Sequence, residues 1–108
     1  MFDVQTLNEQ VDNQIKELPV SLRAKFLSNM ELLAEFGNKL GEPYVSAFGD
    51  GLFELRAKGK EGIARGFFTF QKDKIVIIFH CFIKKSQKTP RNELQKARKI
   101  LSQIKGGK

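Results

Sequence analysis

The sequence predicts an α+β fold: a small twisted antiparallel β-sheet, an N-terminal helix hairpin on one of its faces, and a basic C-terminal helix. Three observations predict it. Apolar residues recur at helical spacing in the N-terminal third and again near the C-terminus, with strand-like segments and turn signals between them. The chain has 108 residues, enough for a single core and one domain spanning 1–108. Its net charge of +7 is unevenly spread: residues 84–108 hold nine Lys/Arg and one Glu, whereas the rest is almost balanced.

Taken in order, Phe2, Val4 and Thr6 alternate with Asp3 and Gln5, which suits a short strand, and Asn8 is placed to cap a helix striped by Val11, Ile15 and Leu18. A single helix from Asp3 to Leu18 also fits; strand followed by helix is the preferred reading. Pro19 interrupts, and Ser21 is a candidate cap for a second helix carrying Leu22, Phe26, Met30 and Leu33, with Gly37 at its C-terminal end. The two helices form a hairpin that covers a sheet.

That sheet is expected from residue 52 onward. Gly49-Asp50-Gly51 is a turn signal, and LFELRA (52–57), IARGFFTF (63–70) and IVIIFHCFI (75–83) read as strands. The near-continuous apolar character of the last marks it as central and buried on both faces. Thr89-Pro90 is expected to start the final helix, with Thr as N-cap and Pro at N1. Leu94, Ala97, Leu101 and Ile104 form its apolar side, and Gly106-Gly107-Lys108 is expected to be disordered.

Composition excludes several classes. No run approaches the roughly 18–20 apolar residues that span a bilayer. The N-terminus lacks the basic, apolar and small-residue regions of a signal peptide. Cys81 is alone, so no disulfide framework forms within the chain. A cytoplasmic protein without membrane attachment is expected. There is no CxxC, HxxxH, P-loop or GxGxxG, so neither a metal nor a small-molecule cofactor is expected.

Strand geometry turns the map into a candidate site. A two-residue turn at Lys72-Asp73 would place Gln71 opposite Lys74 and Arg65 opposite His80; a turn between Gly59 and Gly62 would place Arg56 opposite Arg65. One face would then carry Arg56, Arg65, Phe67, Ile78, His80, Phe82 and Lys84, with Lys85 and Lys88 on the adjoining turn. The other face would collect Phe53, Leu55, Phe68, Phe70, Ile75, Ile77 and Phe79 as core. A one-residue slip would break the arrangement. Two opposed arginines require an anion between them: Glu54 serves structurally, and a phosphate serves functionally.

His80 and Cys81 point to opposite faces of one strand and cannot form a nucleophile–base pair. In its apolar strand His80 reads either as a satisfied core histidine or as a general base. Any chemistry must therefore run on Arg and Lys. Such groups suit cleavage of RNA, whose 2′-hydroxyl is an internal nucleophile and whose transition state gathers charge on the phosphorus.

GLFELRAKGKEGIARGFFTF followed by IVIIFHCFIKKSQKTPRNELQKARKI resembles the RelE/ParE superfamily of toxins from type II toxin–antitoxin systems, in its phage-derived HigB-like branch. The resemblance rests on the ELR strand, the Arg that precedes an aromatic pair, and the F-x-K-K-x-x-K-T-P junction; ELPVSLRAKFLSNMELLAEFG extends it over nearly the whole chain. It implies two helices on one sheet face and a cleft on the other. It also implies a metal-independent endoribonuclease that cuts mRNA on the ribosome and stops translation, and a cognate helix-turn-helix antitoxin. By position it makes Arg56, Arg65, Lys84, Lys85 and His80 the candidate catalytic residues. Lys58, Lys60, Lys88, Arg91, Lys96, Arg98 and Lys99 become the candidate RNA contacts. Relatives with a Tyr, His or Asp near the C-terminus have no counterpart here, because the only tyrosine is Tyr44 and only Glu93 follows Lys88 with acid–base capacity. Cys81 stands where many close relatives have Gly. Two other functions are open: a ParE-like inhibitor of DNA gyrase, and a nucleic-acid-binding domain that works through phosphate contacts alone.

Overall fold

The apolar run that predicted a central strand forms β5, Ile75–Lys84, in a computed structural model that describes residues 1–106. The other elements are β1 (Asp3–Thr6), α1 (Glu9–Lys16), α2 (Val20–Phe36), a 3₁₀ turn (Gly37–Lys39), β2 (Val45–Gly49), β3 (Leu52–Gly59), β4 (Gly62–Gln71) and α3 (Arg91–Gly106). The strand order is β1-β5-β4-β3-β2. Gly106 closes α3; residues 107 and 108, expected to be disordered, lie outside the described residues.

Two features correct the expected antiparallel sheet. β1 pairs parallel with β5, Asp3 beside Ile75 through Thr6 beside Ile78, so the sheet is mixed. β2 is an additional antiparallel strand on β3, bulged between Ala47 and Gly49. Its hydropathy signal is weak because it is an edge strand in which only Val45 is buried. It joins β3 through Gly49, Asp50 and Gly51, all at positive φ (88°, 56° and 82°), a conformation glycine adopts without strain.

The local caps follow the sequence in part. Asn8 accepts a hydrogen bond from the Val11 amide at 3.1 Å, and Gly37 ends α2 with φ 55° and its N–H on Leu33 O. Ser21 does not cap α2: the helix starts directly after Pro19, and the Ser21 hydroxyl turns to Glu61 Oε2 at 3.1 Å. Thr89 does not cap α3 either. Its hydroxyl donates to Glu54 Oε2 at 2.9 Å, and Pro90 supplies the carbonyl for the first helical bond, from the Leu94 amide.

Strand registry departs from expectation twice, and the two departures cancel in their effect on facing. Lys72, Asp73 and Lys74 form a three-residue turn, with Asp73 and Lys74 at positive φ, so Gln71 faces Ile75. A bulge then makes Phe67 face His80 while Phe68 faces Ile78, leaving Phe79 unopposed. Each one-residue change alone would flip every side chain beyond it. Together they restore the phase, so Arg65, Phe67, His80, Phe82 and Lys84 share a face as expected, although Arg65 opposes Phe82 and not His80. Between turn and bulge the faces are exchanged. Val76 and Ile78 join the core under α1 and α2, in place of Ile75, Ile77 and Phe79.

The sheet is covered on both sides. α1 and α2 bury Val11, Ile15, Leu22, Phe26 and Leu33 against Leu55, Phe68, Val76 and Ile78. On the other face Ala97 and Leu101 of α3 pack on Leu52, Phe67 and Phe79. The open cleft implied for that face is therefore filled across its middle by α3, because the apolar stripe of the helix finds its partner there. What stays accessible is the end of the sheet where β3, β4 and β5 meet the β5–α3 loop.

Candidate nucleic-acid interface

Arg56 and Arg65 are directly opposed on β3 and β4, as the Gly59–Gly62 turn requires. Glu54 lies beside both: Oε2 is 3.7 Å from Arg65 Nε and Oε1 is 3.9 Å from Arg56 Nε. The Glu54 and Arg65 side chains are both 0 % exposed. Burial pushes the Glu54 carboxyl above its ordinary range, opposed by the Thr89 hydroxyl and the two guanidiniums. Burial likewise lowers Arg65, with Glu54 acting the other way. A carboxylate thus occupies the position between the arginines. The half-buried Arg56 also pairs with Glu42.

Arg65 does more than balance Glu54. Its Nη2 donates to Ser86 O and to Gln87 O, both at 2.7 Å. Together with Thr89 on Glu54, this ties residues 86–89 down from beneath. Arg65 Nε and Nη1 and Glu54 Oε1 are buried without hydrogen-bond partners. Holding that loop determines where Lys85 and Lys88 stand, both of them exposed.

A row of cations rims this end of the sheet. Lys58 pairs with Ile63, and Ile63 pairs with Lys84, so the two lysines flank one isoleucine on the same face. Two strand spacings put their backbones about 10 Å apart. Lys60 on the β3–β4 turn and Lys85 and Lys88 on the loop extend the rim, and all five lysines are exposed. Of the expected contacts on α3, Arg98 donates to Phe48 O at 2.7 Å and so fastens the helix to β2. Lys96 lies 4.0 Å from Glu93 Oε1, while Arg91 and Lys99 are exposed.

His80 is not part of the rim. It is 7 % exposed and stacks between Phe67 and Phe82. Its Nε2 is 2.7 Å from Glu93 Oε1, and Gln14 Nε2 approaches its Nδ1 at 3.5 Å. The Gln14 amide also accepts from the Cys81 N–H at 2.8 Å. That bond directs its NH₂ to the ring, which makes Nδ1 the acceptor and places the ring proton on Nε2 toward Glu93. Cys81 points to the α1–α2 side; burial pushes its thiol up to about 12, so it is no thiolate nucleophile near neutral pH. Among the described residues no three His, Cys, Asp or Glu side chains converge as metal ligands, and no helix is long and apolar enough to cross a membrane.

Sequence reasoning missed one cleft. It has a volume of about 460 Å³ at the edge of β3 beyond the end of β2, and Lys25, Asn29, Pro43, Tyr44, Arg56, Ala57, Lys58, Ile63 and Gln87 line it. Here the outward carbonyls of β3 are satisfied by side chains of α2: Asn29 Nδ2 on Arg56 O at 2.8 Å and Lys25 Nζ on Lys58 O at 2.9 Å. The helical spacing of Lys25 and Asn29, one turn apart, was the one available signal, and it acquires meaning only once β3 lies alongside α2.

The family model for phage-derived Gp49-like proteins (DUF891) matches residues 13–102. Among solved structures, the chain is similar to the archaeal RelE–RelB complex from Pyrococcus horikoshii OT3. The TM-score is 0.56 at 23% identity, covering 76% of this chain and 93% of that one. Among curated proteins none shows a significant match. The protein therefore belongs to the Gp49-like family of phage-derived proteins, and it has the RelE fold.

Proposed function

We propose that this protein is the toxin of a type II toxin–antitoxin pair and cuts mRNA, most effectively while the message is on the ribosome. The observation that carries this reading is the set of exposed lysines, Lys58, Lys60, Lys84, Lys85 and Lys88, on the strand ends, the β3–β4 turn and the loop that Arg65 holds from below. Family membership and the RelE fold support it. So does the complex in which the matched RelE was solved with RelB, which supports an antitoxin partner for this chain; that this partner is a neutralising helix-turn-helix protein is what the resemblance to HigB-like toxins implies.

In this reading the RNA 2′-hydroxyl gives up its proton and attacks the adjacent phosphorus. The P–O5′ bond breaks to leave a 2′,3′-cyclic phosphate and a 5′-oxygen that takes up a proton, and Lys84 and Lys85 stabilise the charge that builds on the phosphoryl oxygens. The same lysines are the proton-transfer candidates, because both ring nitrogens of His80 are engaged elsewhere. Lys58, Lys60 and Lys88 bind flanking phosphates, with Arg56 beside them. Arg91 and Lys99 offer contacts to ribosomal RNA. Arg65 reaches a phosphate only if residues 86–89 move, so its role here is to position the loop.

The test is to induce the protein and map cleavage of translated messages, alongside the Lys84→Ala/Lys85→Ala variant. Both positions are exposed, so stability should change by no more than about 0.5 kcal/mol each. Loss of a transition-state donor should lower the cleavage rate by about 10²–10³-fold. Intact messages with altered DNA supercoiling would instead support the gyrase-inhibitor function.

A further inference from the structure

The cleft at the edge of β3 shares only Arg56 and Lys58 with the phosphate-binding residues proposed above, and the rest of its lining is specific in kind. Tyr44 is 37 % exposed, while Ala57 and Ile63 provide an apolar floor. Asn29 is oriented through one N–H to Arg56 O, which leaves its Oδ1 and second N–H available; Gln87 contributes another amide. Lys25 commits one of its three donors to Lys58 O, and Lys58 itself is exposed.

An aromatic ring, two free amide edges and nearby cations are the groups by which proteins hold unpaired nucleotides: the base stacks, its edge is read by hydrogen bonds, and the phosphate is neutralised. A cleft of about 460 Å³ is also within the usual range for small ligands. The β3 edge argues against the alternative of an added peptide strand, because Lys25 and Asn29 already occupy the carbonyls such a strand would need. Cleft and rim are joined as well. Gln87 lines the cleft and its carbonyl is held by Arg65, while Lys58 borders the cleft and shares the row of Lys84.

We propose that this cleft is a subsite for one unpaired nucleotide of the RNA, with its base against Tyr44, its edge read by Asn29 and Gln87, and its phosphate near Lys25 and Lys58. The inference deepens the ribonuclease reading and rests on it for the identity of the ligand. It makes the cleft the part of the protein that discriminates among bases, while the lysine rim is indifferent to sequence.

The test uses fluorescently labelled hexanucleotides with 2′-O-methyl groups, which cannot be cleaved, in oligo-A, oligo-U and oligo-C forms, and inorganic polyphosphate as a purely electrostatic probe. Tyr44→Leu should weaken RNA binding about ten-fold and narrow the differences among the three oligonucleotides, leaving polyphosphate binding unchanged. Lys84→Ala/Lys85→Ala should weaken both probes. Circular dichroism checks that each variant is folded. Wild-type affinity for all three oligonucleotides in Tyr44→Leu, or no RNA binding by the wild-type protein, overturns the proposal. Unchanged RNA affinity combined with weakened binding of a co-expressed antitoxin also overturns it and makes the cleft a protein interface. If Tyr44 governs RNA binding but translated messages stay intact on induction, the subsite stands and the nuclease reading fails.

Discussion

Arg65→Ala is expected to cost the protein a large share of its stability. The guanidinium is fully buried, makes two 2.7 Å bonds to loop carbonyls, and lies 3.7 Å from the buried Glu54. Hydrogen bonds from a charged group contribute about 1.5–3 kcal/mol each, and removing one partner of a buried ion pair costs about 3–5 kcal/mol. These figures describe the same group and do not add. An overall loss of about 3–5 kcal/mol follows, out of the roughly 5–15 kcal/mol that hold a domain of this size. The controlling measurement is a double-mutant cycle by urea denaturation followed by far-UV circular dichroism. Arg65→Met and Glu54→Gln should each destabilise, and the double variant should lose much less than their sum, because it strands no buried charge. A loss below about 1 kcal/mol in Arg65→Ala, or a coupling below about 0.5 kcal/mol, would refute the buried pair. The consequence for function is direct. Loss of cleavage in Arg65→Ala would not identify a catalytic residue, since the loop carrying Lys85 and Lys88 would be released with it.

Two further outcomes can be checked on the same instrument. Gly66→Ala places a Cβ 2.6 Å from Phe26 Cζ, a fully buried ring with little freedom to yield, so a loss of about 1–3 kcal/mol is expected; wild-type stability would show that the α2–β4 contact is looser. For Cys81, burial raises the thiol from 9.0 to about 12, so above pH 9 the unfolded chain loses a proton that the folded chain keeps. Its stabilising effect is therefore complete below about pH 9 and declines toward pH 12, by about 1.4 kcal/mol between pH 8 and pH 10. Urea midpoints of Cys81→Ala should lack that part of the decline, and parallel pH profiles for the two proteins would contradict it.

Much of the architecture was legible because it is encoded locally. Asn8 and Gly37 bound their helices through hydrogen bonds that span only a few residues. The Gly59–Gly62 turn alone sets Arg56 opposite Arg65. The apolar stripes of α1 and α2 and the apolar run of β5 name most of the core before any contact is known. The facing of Arg65, Phe67, His80 and Phe82 was also read correctly, although by a registry in which a longer turn and a bulge offset each other.

What only the tertiary structure decided is the environment of the charged groups. Composition shows that Arg65, Arg98 and Glu54 carry charge, but not whether water reaches them. Arg65 is dry because Ser86 and Gln87, some 21 and 22 residues on, fold over it. Arg98 is drawn away from the expected RNA surface by a carbonyl 50 residues distant. The β3-edge cleft exists only because Lys25 and Asn29 of α2 lie beside a strand far along the chain. Hydrophobic periodicity is written in neighbouring residues, whereas the desolvation and pairing of a charge depend on whatever remote segment packs against it. For this protein the sequence therefore settled the core and the location of its positive charge, and the fold decided which of those charges remain free to meet a ligand.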